Sequence, residues 1–248
     1  MKKECYDDMY RQESFQWSFK AKYDNVIDAL NHAGMNSAKA PVICDFGCGC
    51  GFMMNLLSKY GEVVGFDFSE DAIEYSKKTF SGNGELRRIN LENYHEKDRF
   101  DYGVVLDVIE HIEHDELALK NIYGSMRAGG VVAITVPALM SLWSLHDENC
   151  MHWRRYSKPE LEDKVRKAGF QIKYCGFYNF YAFFPAYIVR KLQKIFKIDN
   201  SDDHIESGFK DNWLNHFLYG VLRHEGKKIN QGKHYPIGVS LMCIAVKE

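Results

Sequence analysis

The segment PVICDFGCGCGFMMNLL, residues 41–57, constrains the fold more than any other part of the chain. An apolar strand pattern runs straight into Gly47, Gly49 and Gly51. Helical spacing follows at once, with Met53, Leu56, Leu57 and Tyr60 on one face. A strand that feeds directly into a helix belongs to a parallel sheet, with the turn at the carboxyl edge. Glycines there permit positive φ and close approach to the backbone, and the helix start offers N–H groups to an anion. Two details argue against a pyrophosphate. The spacing is G-x-G-x-G, so the third glycine of a dinucleotide loop would fall on Phe52. Asp45 would also sit beside the anion, a repulsion of roughly 4 kcal/mol per unit charge at ~4 Å in an effective dielectric of 20. Zinc is weaker still. Cys48 and Cys50 form C-x-C with no second pair to complete a tetrahedron, and both thiols read as small fillers.

The alternation continues along the chain. Phe19, Tyr23, Val26, Ile27 and Leu30 mark a first helix that ends near Gly34. Strands follow at EVVGFDF, ELRRIN, FDYGVVLDV, GGVVAITVP, FQIKYCGF and GVSLMCIAVK. Ser69 caps one intervening helix, with Glu70 and Asp71 in its first turn. Ser157 and Glu160 form a capping box for another, which Gly169 ends. The predicted fold is α/β: a mostly parallel sheet with helices on both faces. Residues 178–236 break the rhythm with two amphipathic segments and the acidic linker DNSDDHIESGFKD. The expected organisation is one domain, comprising an N-terminal lid helix (1–39), a core (40–177), a helical insertion (178–236) and a last strand (237–248).

Composition narrows the function. A net charge of -2 argues against a general nucleic-acid binder. Seven irregularly spaced cysteines behind a polar N-terminus read as free thiols in the cytoplasm. The longest apolar stretch, FYAFFPAYIV, is too short to span a bilayer. Segment 186–197 carries Ile188, Leu192, Ile195 and Phe196 on one helical face, with Arg190, Lys191, Lys194 and Lys197 largely elsewhere. It could rest weakly on an anionic membrane surface, cover an acceptor pocket or form a dimer contact. Leu214, Phe217, Leu218 and Val221 form a second stripe, expected in the core. The sequence fixes no oligomeric state.

A ligand of both signs reconciles the glycine loop with Asp45. The methionine part of S-adenosylmethionine has a carboxylate for the loop and two cationic groups for the aspartate. Asp67 ends the second strand, where an acid can accept both ribose hydroxyls. Phe68 can lie against adenine, and Asn90 with Leu91 can read its edge. DFGCGCG, GFDFS, RINLEN, YGVVLDVIEHIEH and GGVVAITVP, in this order and spacing over residues 40–136, resemble the class I S-adenosylmethionine-dependent methyltransferases. The resemblance implies a Rossmann-like, seven-stranded sheet whose last strand is antiparallel. It also implies cofactor contacts from Asp45, Gly47, Cys48, Gly49, Asp67, Phe68, Asn90, Leu91 and Asp107. The flanks resemble one bacterial subgroup with an aromatic lid helix and a VPA…LWS…HD…RRY segment. In that lid Lys22 stands where arginine is expected.

Methyl transfer from a sulfonium needs alignment, exclusion of water and often a base. His111, in DVIEHIEH, is one candidate base; alternatively Glu110 and His111 only start the next helix. HDENCMHWRRYS supplies the other candidates: His146 and Tyr156 for catalysis, and Asp147, His152, Arg154 and Arg155, with Trp143, for the substrate. The two arginines could grip a phosphate or carboxylate, or could pair with Glu160 and Glu162. Trp153 reads equally as pocket wall or packing. No metal site is expected. The reading is methyl transfer to oxygen or nitrogen of a polar small molecule, glycan or lipid intermediate. The alternatives are an NAD-dependent oxidoreductase and a non-catalytic cofactor-binding or scaffold protein; an RNA methyltransferase fits less well.

Overall fold

The computed structural model describes residues 3–196 and 211–248, without the side chains of 3–4 and 193–196. Most of the acidic linker, and the side chains of Lys194, Ile195, Phe196 and Lys197, lie outside the described residues.

Seven strands form one sheet: β1 (Val42–Phe46), β2 (Glu62–Asp67), β3 (Gly84–Arg88), β4 (Phe100–Leu106), β5 (Met126–Pro137), β6 (Gln171–Tyr178) and β7 (Ser240–Val246). Their order is β3-β2-β1-β4-β5-β7-β6. The first five strands pair in parallel, and β7 runs antiparallel to both neighbours, as the resemblance implies. β1 and β5 are buried runs of apolar residues with few breaks because helices cover both faces. Strand order reverses between β1 and β4, which opens a crevice at their carboxyl ends, the usual ligand position in such sheets.

Nine helices are described: α1 (Lys3–Gln12), α2 (Trp17–His32), α3 (Phe52–Leu57), α4 (Glu70–Thr79), α5 (Asp115–Ser125), α6 (Leu145–Asn149), α7 (Lys158–Ala168), α8 (Phe180–Phe196) and α9 (Trp213–Asn230). One face of the sheet packs Phe46, Phe66 and Phe100 with Leu119 and Ile122 of α5 and Leu161 and Val165 of α7. The other packs Ile43, Val63 and Val104 with Val26 and Leu30 of α2, Met53 and Met54 of α3, and Ile229 of α9. The predicted caps form: Ser69 Oγ accepts from Ala72 N, Ser157 and Glu160 make a reciprocal box, and Gly169 ends α7 at φ 114°.

Two features depart from the sequence reading. α1, a short polar helix, is additional to the expected lid helix. It lies on α4, with Tyr10 and Tyr75 ring centroids 4.7 Å apart and Tyr6 buried. α9 does not bury its predicted stripe, since Leu214 and Phe217 are 37% and 60% exposed. It turns Asn215, Leu222, Glu225 and Gly226 inward instead. Asn215 Oδ1 accepts from Trp17 N (2.9 Å), its amide donates to the Phe15 carbonyl (2.8 Å), and Asn25 donates to the Leu222 carbonyl (3.1 Å). These polar contacts fix the insertion to the lid helix α2 and outweigh the apolar pattern. Among the described residues no helix is long and apolar enough to cross a membrane, and no disulfide is formed.

Candidate functional site

The turn between β1 and α3 needs its glycines. Gly47, Gly49 and Gly51 have φ of 86°, 52° and 83°, a region costly for other residues. A Cβ at Gly47 would stand 2.3 Å from Val108 Cγ2, and one at Gly49 2.9 Å from Met9 Cε of α1. The loop's N–H groups are largely spent inside the protein. Those of Gly47 and Cys48 both donate to the Phe66 carbonyl (2.7 and 2.8 Å), and that of Gly51 to the Cys48 carbonyl (2.9 Å). Gly49 N–H donates to Asp67 Oδ2 at 3.0 Å. The expected open anion cradle is thus corrected: at these four residues the N–H groups bond within the protein, and the glycines make room for Val108 and Met9. Cys48 is buried, with its thiol 3.6 Å from Ser76 Oγ. Its side chain therefore acts as the expected filler, which leaves the backbone as its share of a ligand surface.

Asp67 ends β2, and its Oδ1 accepts from Ser69 N at 2.8 Å. Phe68 follows with its ring 66% exposed and the Arg88 guanidinium 6.0 Å from the ring centre. Asn90 Oδ1 accepts from Glu92 N (2.9 Å) and starts a short turn. Leu91 is buried, and its carbonyl accepts from Asn121 (2.8 Å).

Two buried acids, each with one oxygen that meets no donor, collect near this loop. Asp45 is not at the strand terminus but within β1, paired with Gly65 and Val104. It is 2% exposed, and its Oδ2 meets no donor. Burial, then the charges of Glu13 and Asp67, push its carboxyl well above the usual range. Glu13, between α1 and α2, is 4% exposed; one oxygen accepts from the Tyr23 hydroxyl and the other has no partner. Burial pushes it up to about 7. The nearby cation is Lys22 of α2, whose Nζ lies 2.7 Å from Asp107 Oδ2 and over the rings of Phe19 and Tyr23. Asp107, at φ 55°, also accepts from Thr135 Oγ1 at 3.0 Å. Burial acts to raise its carboxyl, but Lys22 and Thr135 outweigh it and hold the group below the usual range. Lys22 thus ties the lid helix to the loop after β4.

The loops after β4 and β5 meet beside Asp107. Glu110 and His111 belong to a short turn before α5 rather than to its start. Glu110 is wholly buried, and burial followed by the Asp107 charge pushes it well above the usual range. The His111 ring centre lies 4.6 Å from that of His152. Burial, then His152, push its imidazole down to about 3. His152 Nδ1 lies 2.9 Å from Asp147 Oδ1.

The structure corrects two substrate assignments, Asp147 and Arg155, and one catalytic assignment, Tyr156. Arg155, 3% exposed, forks onto Asp147 (Nε–Oδ1 2.7 Å, Nη2–Oδ2 3.0 Å) and donates to the Ala138 carbonyl (3.3 Å). Asp147 is itself wholly buried, and the His152 and Arg155 contacts hold its carboxyl far below the usual range against the effect of burial. Neither is available to an acceptor. Tyr156 is also buried; its hydroxyl donates to Asp115 Oδ2 at 2.6 Å, so it is a packing residue and not a catalytic one. Arg154 reaches Asp115 (2.8 Å) and the Glu113 carbonyl (2.8 Å). The arginines' partners are therefore Asp147 and Asp115, not Glu160 or Glu162. His146 is exposed on α6, its ring centre 6.2 Å from that of His152. Trp143 donates to Glu148 (3.3 Å), and Trp153 is 55% exposed. Sequence reasoning missed Glu13, which no periodicity or motif marks, and the convergence of Glu110 and His111 with His152, which lies on a separate loop.

The pocket residues fit S-adenosylmethionine. Partnerless oxygens on buried Asp45 and Glu13 call for a cation, and Phe68 beside Asp67 offers an exposed ring. Comparison with known proteins agrees. A family described as "Methyltransferase domain" matches residues 44–134. Ubiquinone biosynthesis O-methyltransferase of Coxiella burnetii (strain RSA 493 / Nine Mile phase I) is 29% identical over 102 residues, covering 37% of this chain and 42% of that protein. The chain thus aligns with less than half the length of its curated relatives. A solved SAM-dependent methyltransferase of Thermotoga maritima, described as a possible histamine N-methyltransferase, superposes with a TM-score of 0.60 at 16% identity, over 99% of this chain and 96% of that one. Haemonchus contortus phosphoethanolamine N-methyltransferase 2, solved with S-adenosyl-L-methionine, gives a TM-score of 0.55 at 19% identity, over 89% of this chain and 52% of that one. Residues 44–134 match the methyltransferase-domain family, and the chain around them has the class I S-adenosylmethionine-dependent methyltransferase fold.

Proposed function

We propose that the protein transfers a methyl group from S-adenosylmethionine to an oxygen or nitrogen of a polar small molecule, glycan or lipid intermediate in the cytoplasm. The observation that carries this reading is the pair of buried acids, Asp45 and Glu13, each with an oxygen that meets no donor, beside a glycine loop. A dianionic pyrophosphate would worsen that field, whereas a ligand with ammonium and sulfonium groups relieves it. Gly47 and Gly49 allow close approach, Asp67 takes the ribose hydroxyls, and Phe68 stacks on the adenine, with Asn90 and Leu91 at its edge. The sulfonium supplies an activated methyl group with its leaving group in place. Lys22 and Asp107 hold the lid helix over the crevice and exclude water. His111 and His152, with the exposed His146 and Trp153 and the half-buried Trp143, form the acceptor side. Exposed Tyr181, Phe184, Tyr187 and Ile188 on α8, with Trp213 and Phe217 on α9, support an acceptor with an apolar part or a weak membrane contact.

Parallel calorimetric titration with S-adenosylmethionine, S-adenosylhomocysteine and NADH tests the reading. Micromolar binding of the first two and none of NADH is expected. NADH binding alone would overturn it in favour of an oxidoreductase.

A further inference from the structure

Glu110, His111 and His152 converge although they come from the loops after β4 and β5. One ligand atom from each can be chosen so that all three lie within 4.8 Å of one another. Each side chain is arranged as a ligand would be. Glu110 is wholly buried, yet neither of its side-chain oxygens meets a donor from another residue. A carboxylate in that setting is unfavourable unless a cation joins it. His111 Nδ1 is buried without a partner, so a neutral ring protonated on Nε2 offers the Nδ1 lone pair. His152 Nδ1 lies 2.9 Å from Asp147, which Arg155 keeps ionised and therefore acceptor-only. His152 accordingly donates from Nδ1 and presents Nε2 as a lone pair. A carboxylate that fixes the tautomer of an imidazole in this way is the usual support of a metal-binding histidine.

We propose that Glu110, His111 and His152 form a site for one divalent first-row transition-metal ion. Two imidazoles and a carboxylate suit zinc, manganese, iron or cobalt, and three protein ligands leave positions open for an exogenous oxygen. The site adjoins Asp107 at the acceptor side of the crevice. Its use there rests on the methyl-transfer reading: an acceptor hydroxyl on an open position would have its pKa lowered, which makes the oxygen a better nucleophile. Metal binding itself does not depend on that reading.

The test is metal titration of the full chain, stripped with EDTA and desalted, without S-adenosylmethionine. One equivalent of Co²⁺ should give visible d–d absorption that one equivalent of Zn²⁺ removes. Glu110→Gln and His152→Asn should each weaken Zn²⁺ binding by about 100-fold or more, whereas His216→Gln should leave it unchanged. Absence of the Co²⁺ band from the unmodified protein would overturn the proposal without reliance on any variant that fails to fold. Unaltered Zn²⁺ affinity in folded Glu110→Gln and His152→Asn would overturn it as well. Calorimetry with S-adenosylmethionine on the same metal-free protein separates the two readings. Cofactor binding without the Co²⁺ band removes the metal site alone; the band without cofactor binding removes the methyl-transfer reading alone.

Discussion

Glu13 should couple cofactor binding to proton release. Its carboxyl lies near 7 in the fold, against an ordinary 4.5, because burial disfavours its charge. Between those values the folded chain holds a proton that the unfolded chain has lost. Glu13 therefore contributes stability that is fully present below about 4.5 and is lost as pH rises through about 7. The displacement corresponds to about 3 kcal/mol. A cation bound over Asp45 and Glu13 reverses the preference and favours the ionised carboxylate. If binding returns Glu13 to its ordinary value, about 0.9 proton is released per cofactor at pH 6 and about 0.1 at pH 8. The assay is calorimetry of S-adenosylmethionine binding at each pH, in buffers of different ionisation enthalpy, with Glu13→Gln alongside. Taken relative to Glu13→Gln, which removes the ligand's own titration from the comparison, the affinity of the unmodified protein should rise about tenfold from pH 6 to pH 8. Identical proton release and pH dependence in the two proteins would refute the reasoning and place the positive charge away from Glu13.

Two further predictions concern the loop and the buried network behind it. Gly47→Ala combines a φ of 86° with a Cβ 2.3 Å from Val108 Cγ2, and should lower stability in urea unfolding by about 2 kcal/mol or more. Adding Val108→Ala should relieve the clash but not the backbone strain, so full recovery would show that φ is not limiting. Tyr156→Phe removes the 2.6 Å hydrogen bond to Asp115 and should cost about 1–2 kcal/mol of stability with kcat unchanged. A fall in kcat at unchanged stability would return Tyr156 to the chemistry.

What the sequence determined by itself was the order of the seven strands, most of the helices between them, and the glycine turn after β1. Those signals are local. Strand, glycine turn and helix are contiguous in PVICDFGCGCGFMMNLL; Asp67 and Phe68 follow a strand end directly; and the caps at Ser69 and Ser157 lie within one helical turn of the groups they serve. Local signals failed where a side chain's fate depends on distant partners. The charged run HDENCMHWRRYS reads as a surface grip, yet Asp147 lies across from Arg155 and Asp115 awaits Tyr156 and Arg154, so Asp147, Arg155 and Tyr156 turn inward. The stripe on α9 reads as core, yet Asn25 and the chain around Phe15 engage the polar face. Glu13 lies in no motif, and only the packing of α1 and α2 over the sheet removes it from water and raises its carboxyl. Tertiary structure likewise decided that Lys22 meets Asp107 and that Glu110, His111 and His152 meet one another. Burial and charge pairing depend on proximity in space, and here that proximity was set by how the loops of β4 and β5 and the lid helix close over one sheet edge.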